Sequence, residues 1–463
     1  MTYRLSELEV LPDDPFKQDA LQRKPLVGFL ANLVAKIDGP FVLALDSPWG
    51  TGKTTLVRML KAQLEQQSFY CIYFNAWKSD YATDPLVALV ESIERSIKVE
   101  SVISENFDER FNKVKKITGK IARRMIVAGG KILSLGILDV DKDVEEIISD
   151  VAADTTGDIV DLFSKERDHL EQFRQVLTES VEALTATRNR RNIIIFLDEL
   201  DRCRPIFSIG LLERIKHLFD TPNIIFVLSV DKQQLECTIG AVYGSGTNSR
   251  EYLRRFIDLE YRIPRPVPKS FTESLLTKYG LDELFALRNG PETKSDRMHF
   301  VDFFTLLADI FDLSLRARER CITRLRVVMD QTPADQYLDP IPLALLIVLR
   351  SNNSDIFDRL VNGGMGAEEV MNYIYQLPSG AKLQSEHAGY VIEAVLLAAD
   401  KSKDRVHARI ESLKILVADP NRTEDEKEKA SNVLNLYNYF ANSMRSLRLD
   451  FIAAKVELSE MIR

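Results

Sequence analysis

The stretch best suited to chemistry is a glycine-rich turn at residues 47–55, Ser-Pro-Trp-Gly-Thr-Gly-Lys-Thr-Thr. A turn of this kind between a strand and a helix directs successive backbone N–H groups inward, around a phosphate chain. Lys53 is placed to reach β- and γ-phosphates, and the Thr54 hydroxyl is placed to ligate Mg²⁺. The strict pattern Gly-x-x-x-x-Gly-Lys-Ser/Thr is not met, because Ser47 occupies the first glycine position. The apolar run before the turn and the helical pattern after it nevertheless favour a nucleotide-binding loop over an ordinary connection.

Eight residues are expected to line the bound nucleotide. Seven of them follow one another through the turn, and the eighth ends a later apolar run. For the tryptophan of the turn two interpretations are open, contact with the nucleotide or packing beneath the turn. The residues are Trp49, Gly50, Thr51, Gly52, Lys53, Thr54, Thr55 and Ser229.

A pair of carboxylates, Asp198 and Glu199, ends the apolar run Ile-Ile-Ile-Phe-Leu-Asp-Glu. Such a run places Asp198 at the C-terminal edge of a buried strand, where ligands of open α/β sheets bind. There Asp198, together with Thr54, is expected to hold Mg²⁺. Glu199 is placed to polarise an attacking water, a role that suits an ATP hydrolase better than a small-molecule kinase.

Two other pairs of residues have open interpretations. Ser229 and Asp231 end the apolar run Asn-Ile-Ile-Phe-Val-Leu-Ser-Val-Asp, where a polar group either senses the γ-phosphate or terminates the strand in a turn. Arg254 and Arg255, in Glu-Tyr-Leu-Arg-Arg-Phe-Ile-Asp-Leu-Glu-Tyr, are expected on a helix. One of them is a candidate arginine finger, in cis or across a subunit boundary. The alternative is a solvated basic helix face.

A sheet is needed to position these residues, and the apolar runs predict four of its strands. Each run is bounded by turn residues and followed by helical periodicity, which indicates an α/β domain with a parallel sheet. The strand pattern disappears between 101 and 187, a distance much longer than a compact strand–helix unit needs. We therefore expect a helical insertion within one sheet-forming core. The four predicted strands lie at 39–46, 69–77, 192–200 and 223–231.

The pattern changes after the fourth strand. Pro264, Pro266 and Pro268 alternate, and such a segment continues neither a helix nor a central strand, so it predicts an extended boundary. Nearly everything beyond it has helical periodicity. The predicted divisions are 1–100 and 188–263 for the two parts of the nucleotide core, 101–187 for the insertion, 270–350 for a helical lid and 351–463 for a C-terminal helical domain.

Length, charge and cysteine spacing exclude several classes of protein. The chain has 463 residues, enough for about three domains. Its net charge of −8 argues against a protein that coats nucleic acid over its whole surface. Cys71, Cys203, Cys237 and Cys321 have no zinc spacing, which favours reduced thiols. The first residues lack the pattern of a signal peptide, and no apolar run of about 18 residues predicts a membrane span.

Several stretches of the chain occur together in one known family. They are DPFKQDALQRK at 14–24, the turn PWGTGKTT, FNAW at 74–77, LDELDRCRP at 197–205, VLSVDKQQL at 227–235 and YLRRFIDL at 252–259. At these motifs, over about residues 13–330, the sequence resembles the KAP family of P-loop NTPases, a branch near the STAND and AAA+ types. The FNAW and LDELDRC strings are the most specific of them.

The resemblance implies binding and hydrolysis of ATP with Mg²⁺. It also implies roles for Asp201 and Arg202 beside the carboxylate pair. A lid arginine, Arg316 in the string Ser-Leu-Arg, is implied to contribute to the nucleotide site. Two departures from the family stand out: Ser47 replaces the usual glycine, and many relatives carry transmembrane hairpins where this chain has its insertion.

The apolar stretch Met125–Val140 occupies the position of those hairpins. It is broken by Lys131, and a basic cluster precedes it. Basic residues beside an apolar run favour anionic headgroups, so contact with a membrane surface stays open. A soluble helical insertion that packs on the core or on a partner subunit is the favoured interpretation, and contact of the basic cluster with nucleic acid is a third. The cluster comprises Lys113, Lys115, Lys116, Lys120, Arg123 and Arg124.

We therefore expect a cytoplasmic P-loop NTPase with an α/β fold, a helical insertion, an all-α lid and a C-terminal helical domain. Lys53 and Glu199 would carry the hydrolysis, and Arg316 with Arg254 or Arg255 would close the site. The expected partners are ATP, further copies of the chain, and an effector or regulatory protein, since the family is associated with bacterial defence against phage. A nucleotide-stabilised scaffold with little turnover, a membrane-surface signalling NTPase and a small-molecule kinase are the alternatives.

Overall fold

The computed structural model describes residues 9–99, 109–119, 159–185, 192–218, 220–264, 267–288, 293–384, 386–442 and 449–458. The predicted apolar stretch Met125–Val140 lies outside these residues, as do Lys120, Arg123 and Arg124. The described residues belong to two units, one within Leu8–Arg265 and one within Pro266–Arg463. Each unit has a hydrophobic core of its own.

The first unit is built on a five-stranded sheet in the order β2-β3-β4-β1-β5. All neighbouring strands run parallel, so the predicted parallel α/β sheet is confirmed. Four of the strands lie within the four predicted apolar runs. The strands are β1 (Phe41–Asp46), β2 (Tyr70–Asn75), β3 (Ile193–Asp198), β4 (Ile224–Val230) and β5 (Leu259–Arg262).

The structure corrects the prediction that Arg254 and Arg255 lie on a helix, and it adds a fifth strand after them. The helix there ends at Leu253, and Leu259–Arg262 pairs with β1 instead. This segment has one neighbour in the sheet and is largely exposed, so it keeps charged residues such as Glu260 and lacks the apolar run of a central strand.

Helices cover both faces of the sheet. One face packs on α1 and α2, and the other packs mainly on the remaining helices, because successive strand residues point to opposite faces. Two short 3₁₀ turns follow β2 and β3, at Trp77–Ser79 and Leu200–Arg202. The helices are α1 (Lys24–Val34), α2 (Lys53–Gln66), α3 (Pro85–Val99), α4 (Ile159–Thr185), α5 (Pro205–Leu218), α6 (Lys232–Tyr243) and α7 (Ser249–Leu253).

The described part of the predicted insertion is helical, at residues 109–119 and in α4. Both helical stretches contribute to the hydrophobic cluster on the second face of the sheet. Phe111 and Phe173 are buried there together with Ile72 of β2 and Ile195 of β3. These parts of the insertion therefore complete the core of the first unit.

The register of the strands brings several polar side chains to one edge of the sheet. Asn75 lies opposite Asp198, and Asp198 lies opposite Ser229. Ser229 in turn lies opposite Leu45, two residues before the turn at Ser47. Because parallel strands end at the same edge, this register gathers the ends of β2, β3 and β4 beside the glycine-rich turn.

All the regular secondary structure among the described residues of the second unit is helical. Its main core joins residues from Leu275 to Val456, so this core crosses the predicted division between 270–350 and 351–463. Pro264 and Pro268 flank the point at which the two units divide. The helices are α8 (Lys269–Lys278), α9 (Leu281–Leu287), α10 (Asp296–Ile310), α11 (Leu315–Gln331), α12 (Pro340–Asn352), α13 (Ser354–Val361), α14 (Ala367–Tyr375), α15 (His387–Ala399), α16 (Lys403–Ala418), α17 (Glu424–Ala441) and α18 (Leu449–Glu457).

Among the residues that the structure describes, no helix is both long enough and apolar enough to cross a membrane.

Candidate functional site

The glycine-rich turn adopts a conformation that only glycine accepts without strain at two of its positions. Gly50 and Gly52 have φ values of 76° and 79°, in the left-handed region. Gly52 is the residue before α2, so the helix begins directly at Lys53. A residue with a Cβ atom at either position would strain the loop, which is why these glycines flank Thr51.

Ser47, which replaces the usual glycine, closes the loop with its side chain. It is 1% exposed, and its hydroxyl donates to Thr51 Oγ1 at 2.9 Å. The Thr51 hydroxyl donates in turn to the Pro48 carbonyl oxygen, also at 2.9 Å. This pair of hydrogen bonds joins the two sides of the loop, so the serine is accommodated within the same turn.

Lys53 is buried at the start of α2 and points back into the loop. Its ammonium group donates to the Ser47 carbonyl oxygen and to the Pro48 carbonyl oxygen, the latter at 3.3 Å. Burial lowers the pKa of Lys53, and the nearby carboxylates of Asp201, Asp231 and Asp198 oppose that shift. An anionic ligand in the concave side of the loop would compensate the ammonium group for the hydration that it loses on burial.

Asp198 ends β3 as predicted and is 1% exposed. Its Oδ2 accepts a hydrogen bond from the Tyr73 hydroxyl at 2.8 Å, and its Oδ1 accepts one from the Glu199 backbone N–H at 3.0 Å. Burial, and next the negative charge of Asp198, raise the pKa of Tyr73, so the phenol stays a donor at neutral pH. Tyr73 thus fixes the orientation of the carboxylate and leaves lone pairs for a further ligand.

Glu199 is held by two side chains. Asn75 Nδ2 donates to Glu199 Oε2 at 2.9 Å, and Arg202 forms an ion pair with Glu199 Oε1 at 2.6 Å. The backbone of Glu199 has a φ of 62°, an uncommon conformation for a residue with a side chain. A strained backbone conformation of this kind persists only where the surrounding contacts hold it in place. It positions the Glu199 carboxylate immediately beyond Asp198.

Asp201 connects the turn after β3 with the glycine-rich loop. Its Oδ2 accepts a hydrogen bond from the Trp49 indole N–H, while Trp49 itself remains 43% exposed. Its Oδ1 is buried and has no hydrogen-bond partner among the described residues. Burial raises the pKa of Asp201, and the Lys53 charge opposes this shift most strongly. Trp49 is therefore only partly covered, with its indole N–H directed at Asp201.

Ser229 and Asp231 differ in their surroundings. The Ser229 hydroxyl oxygen is buried and has no hydrogen-bond partner within the described part of the chain. Asp231 instead caps α6, where its Oδ1 accepts from the Gln234 N–H at 3.4 Å. The turn interpretation therefore applies to Asp231, whereas Ser229 presents an unused hydroxyl at the strand ends.

Thr54 and Thr55 follow Lys53 in the first turn of α2, where both are partly buried. A threonine at the amino end of a helix lies beside backbone N–H groups that have no partner within the helix. This position suits the predicted contacts of Thr54 and Thr55 with a bound anion and its metal ion.

Arg254 and Arg255 are not brought together with the loop. They precede β5, on the side of the sheet where strands begin, and Asp258 N–H bonds the Val42 carbonyl oxygen near the start of β1 at 3.0 Å. The Arg254 side chain is exposed and pairs with Glu251 at 2.5 Å. A role across a subunit boundary stays a prediction for both arginines.

Arg316 belongs to the second unit. It lies in the first turn of α11 and is exposed, and Ser314 caps that helix by accepting from the Ala317 N–H at 3.2 Å. Arg318, two residues later, is buried and pairs with Asp309 of α10. Arg318 is thus part of the core of this unit, and Arg316 is the arginine of this string that faces solvent.

Three residues of the site were not singled out individually by sequence reasoning: Arg23, Tyr73 and Asn75. Arg23 donates to the carbonyl oxygens of Thr51 and Gly52, and the other two hold the carboxylates of the site. Arg23 and Asn75 lie within the family-like strings at 14–24 and 74–77, which was the available signal. Tyr73 looks like an ordinary strand residue until the strand register is known.

The glycine-rich loop and the carboxylate pair both lie within the part of the chain that matches a known protein family. A model of the KAP family P-loop domain matches residues 23–331. The chain belongs to the KAP P-loop family. The match covers the whole described sheet of the KAP domain and extends into the second unit as far as the end of α11. Nucleotide binding is the activity that this KAP P-loop domain implies.

Two similar proteins extend the comparison. The Phage T7 exclusion protein of Escherichia coli strain K12 is 21% identical over 257 residues. That match covers 50% of the KAP chain and 31% of the relative, so the chain spans about a third of that protein's length. Among solved structures, the Aeropyrum pernix ORC2 protein in ADPNP–ADP complexes gives a TM-score of 0.34 at 12% identity, covering 96% of this chain and 95% of that one.

Proposed function

We propose that this KAP-family chain is a Mg²⁺-dependent ATP hydrolase that acts as a switch or motor for partner proteins. The observation that carries the proposal is the arrangement at one edge of the sheet. There a buried Lys53 lies in a glycine-rich loop, next to a strand end that bears Asp198 and a restrained Glu199. These are the groups that positioning and charge stabilisation of a phosphoryl group require.

The buried polar atoms of the site fit a phosphate-bearing ligand with its metal ion. Ser229 Oγ and Asp201 Oδ1 are both buried, and neither has a hydrogen-bond partner among the described residues. An unsatisfied buried polar atom costs about 1–3 kcal/mol, and a bound phosphate that accepts from the Ser229 hydroxyl would remove that cost at Ser229. In this proposal Thr54 and Asp198 hold Mg²⁺, which neutralises charge on the β- and γ-phosphates.

Each side chain then has a defined task. Lys53 changes its hydrogen-bond partners from the loop carbonyl oxygens to phosphate oxygens, while the N–H groups of the loop and of the first turn of α2 surround the phosphate chain. Glu199 accepts a proton from the attacking water, and Asn75 and Arg202 set the position of its carboxylate. The Ser229 hydroxyl donates a hydrogen bond to the γ-phosphate.

Replacing Glu199 by Gln tests the proposal. The Gln side chain has nearly the same size as Glu and keeps one side-chain oxygen as a hydrogen-bond acceptor, but it cannot take a proton from water. Turnover should therefore fall by about 10²-fold or more while ATP stays bound. Turnover and retained ATP are measured on the same purified sample. Glu91, an exposed glutamate of α3, provides the matched control: Glu91→Gln should turn over ATP at the wild-type rate.

Three results would contradict this assignment in different ways. Unchanged turnover in Glu199→Gln would remove the proton-accepting role from Glu199. Bound ATP without turnover in the wild type, with every candidate ligand, would instead indicate a nucleotide-stabilised scaffold. Transfer of label from ATP to a metabolite would indicate a small-molecule kinase.

The partner part of the proposal rests on the relative named above. Because that relative is a phage T7 exclusion protein, we propose that this chain acts in bacterial defence against phage, with an effector or regulatory partner. Its location in the cytoplasm stays a prediction. We further propose that copies of the chain assemble when ATP binds and that Arg254 or Arg255 reaches the nucleotide site of a neighbouring copy. The contribution of Arg316 that the family resemblance implies stays a prediction. The particle mass of the ATP-loaded Glu199→Gln protein should then exceed that of the nucleotide-free protein, and an equal mass would contradict assembly.

For the insertion, two possible partners remain to be tested: nucleic acid and an anionic membrane surface. Within the described residues, Lys113 pairs with Glu109 at 3.1 Å and Lys115 pairs with Glu94 at 3.0 Å, so the two lysines are partly neutralised. Together with the burial of Phe111 on the same helical stretch, these pairs favour a packed helical insertion over a basic surface for nucleic acid or anionic lipid. Sedimentation with anionic vesicles or with duplex DNA would overturn that preference if either probe carried the protein down.

A further inference from the structure

Arg23 contacts the back of the glycine-rich loop. One guanidinium nitrogen donates to the Gly52 carbonyl oxygen at 2.8 Å, and the other donates to the Thr51 carbonyl oxygen at 2.6 Å. The residue lies 28 and 29 positions before its two acceptors, and it precedes α1 directly. The planar fork of arginine suits two neighbouring carbonyl groups, which a lysine ammonium cannot bind in the same way.

The consequence for the loop follows from the geometry of the peptide bond. In a planar trans peptide the C=O and the following N–H point in opposite directions. The carbonyl groups of Thr51 and Gly52 share their peptide planes with the N–H groups of Gly52 and Lys53. The Gly52 carbonyl oxygen also accepts the Leu56 N–H of α2 at 3.1 Å. Together with that bond, Arg23 holds both carbonyl oxygens on the outer side, so both N–H groups point to the inner side, where phosphate would bind.

Arg23 is itself held in place by the segment before α1. Burial lowers the pKa of Arg23 to about 10, and Asp19 opposes the shift, so the guanidinium is charged at neutral pH. Asp19 Oδ2 also accepts from the Lys24 backbone N–H at 2.8 Å. Further back, Gln66 at the end of α2 donates to the Pro12 carbonyl oxygen at 2.7 Å. The segment is therefore fastened to both ends of α2.

We propose that Arg23 is a positioning residue for nucleotide binding: it presents the Gly52 and Lys53 N–H groups to the β-phosphate without touching the nucleotide. This inference rests on the proposed binding of ATP at the loop. The segment before α1 would then contribute to the affinity for nucleotide. Loss of Arg23 should weaken nucleotide binding and leave the rate of the chemical step nearly unchanged. ADP and ATP should be affected equally, because both carry the β-phosphate.

The test compares Arg23→Gln, Arg23→Lys and the control Arg95→Gln, which removes an exposed arginine of α3 from the same unit. Calorimetry measures the affinity for ATP and for ADP with Mg²⁺, and steady-state assays give kcat at saturating ATP. We expect Arg23→Gln to weaken both nucleotides at least about tenfold, since two charge-assisted bonds are lost. Arg23→Lys should be intermediate, kcat should change by less than about threefold, and Arg95→Gln should match the wild type.

The outcomes separate this inference from the proposed function. A wild type that does not bind ATP overturns the proposed function itself. A wild type that binds, together with Arg23→Gln protein of unchanged affinity, overturns the positioning role. A lowered melting temperature with unchanged affinity in the folded protein also overturns it, since Arg23 would then only stabilise the fold. If Arg23→Gln does not fold, the affinity of Arg23→Lys decides between the same alternatives.

Discussion

Asp201 and Arg202 are neighbours in one short turn, and their side chains hold two different parts of the site. Asp201 accepts the Trp49 indole N–H from the glycine-rich loop. Arg202 pairs with Glu199 and lies over the Trp77 ring, with its Cζ 5.6 Å from the ring centroid. Because the two residues are joined by one peptide bond, this turn links the glycine-rich loop to Glu199.

The two tryptophans of the chain make this arrangement measurable. Trp49 and Trp77 are the only tryptophans in the sequence, and each contacts one residue of the turn. In a Trp77→Phe protein, titration with ATP and Mg²⁺ should change the emission of Trp49 until the site is saturated. Adding Asp201→Ala should reduce that change by at least about half, since the indole loses its acceptor.

Emission from Trp49 that stays constant while calorimetry detects bound ATP would contradict the placement of the nucleotide beside this residue. The exposed Tyr81→Phe substitution is a suitable control, because this side chain is 86% exposed and should leave the Trp49 response unchanged.

Part of the site was predictable at this scale, and the reason for the difference is physical. Lys53, Asp198 and Glu199 follow a strand or a glycine turn directly, so their chemistry can be inferred from local spacing. Tyr73 meets its carboxylate acceptor across 125 residues and Asn75 across 124. Such contacts depend on which strands become neighbours, which a local pattern does not specify.

Among the elements, the insertion helices have a larger structural role than their position in the sequence suggests. Helix α4 places Phe173, Leu177 and Val181 in the cluster that covers one face of the sheet. A parallel sheet needs both faces covered, so a helix that supplies this cover contributes to the stability of the whole unit.

Phe173→Ala should therefore destabilise the first unit. Phe173 is fully buried, and removing a buried phenylalanine ring typically costs about 3–5 kcal/mol through lost burial and a residual cavity. Denaturant unfolding followed by circular dichroism measures the change. Asp168→Ala, at an exposed position of the same helix, should stay within about 0.5 kcal/mol of the wild type. An unchanged unfolding midpoint for Phe173→Ala would show that α4 does not pack on the sheet.

The strands show which elements a sequence pattern can predict. Strands β3 and β4 are buried along their whole length, and their continuous apolar runs indicate this directly. Strand β5 pairs only with β1 and has the sequence Leu-Glu-Tyr-Arg, so it has no such run. A continuous apolar run is the signal that predicts a buried central strand. The edge strand β5 lacks this run, so the sequence pattern did not predict it.

At the scale of the whole molecule, the chain combines a nucleotide-binding unit with a helical unit. The family match from 23 to 331 crosses the division between them, so α8 to α11 of the helical unit belong to the P-loop domain of the family. The core of the helical unit is continuous through α18, although the sequence pattern suggested a separate domain from residue 351. Helical periodicity identifies each helix, but it does not show which helices share a core.

The central claim is that ATP binds in the loop that contains Lys53. Calorimetric titration of the full chain with ATP and Mg²⁺ tests it most directly, with Lys53→Ala as the comparison and circular dichroism as the check on folding. The wild type should bind about one ATP per chain, and Lys53→Ala should bind at least about tenfold more weakly, because a charge-assisted contact to phosphate is lost. A wild type that does not bind ATP, or a folded Lys53→Ala protein with the wild-type affinity, would contradict the account.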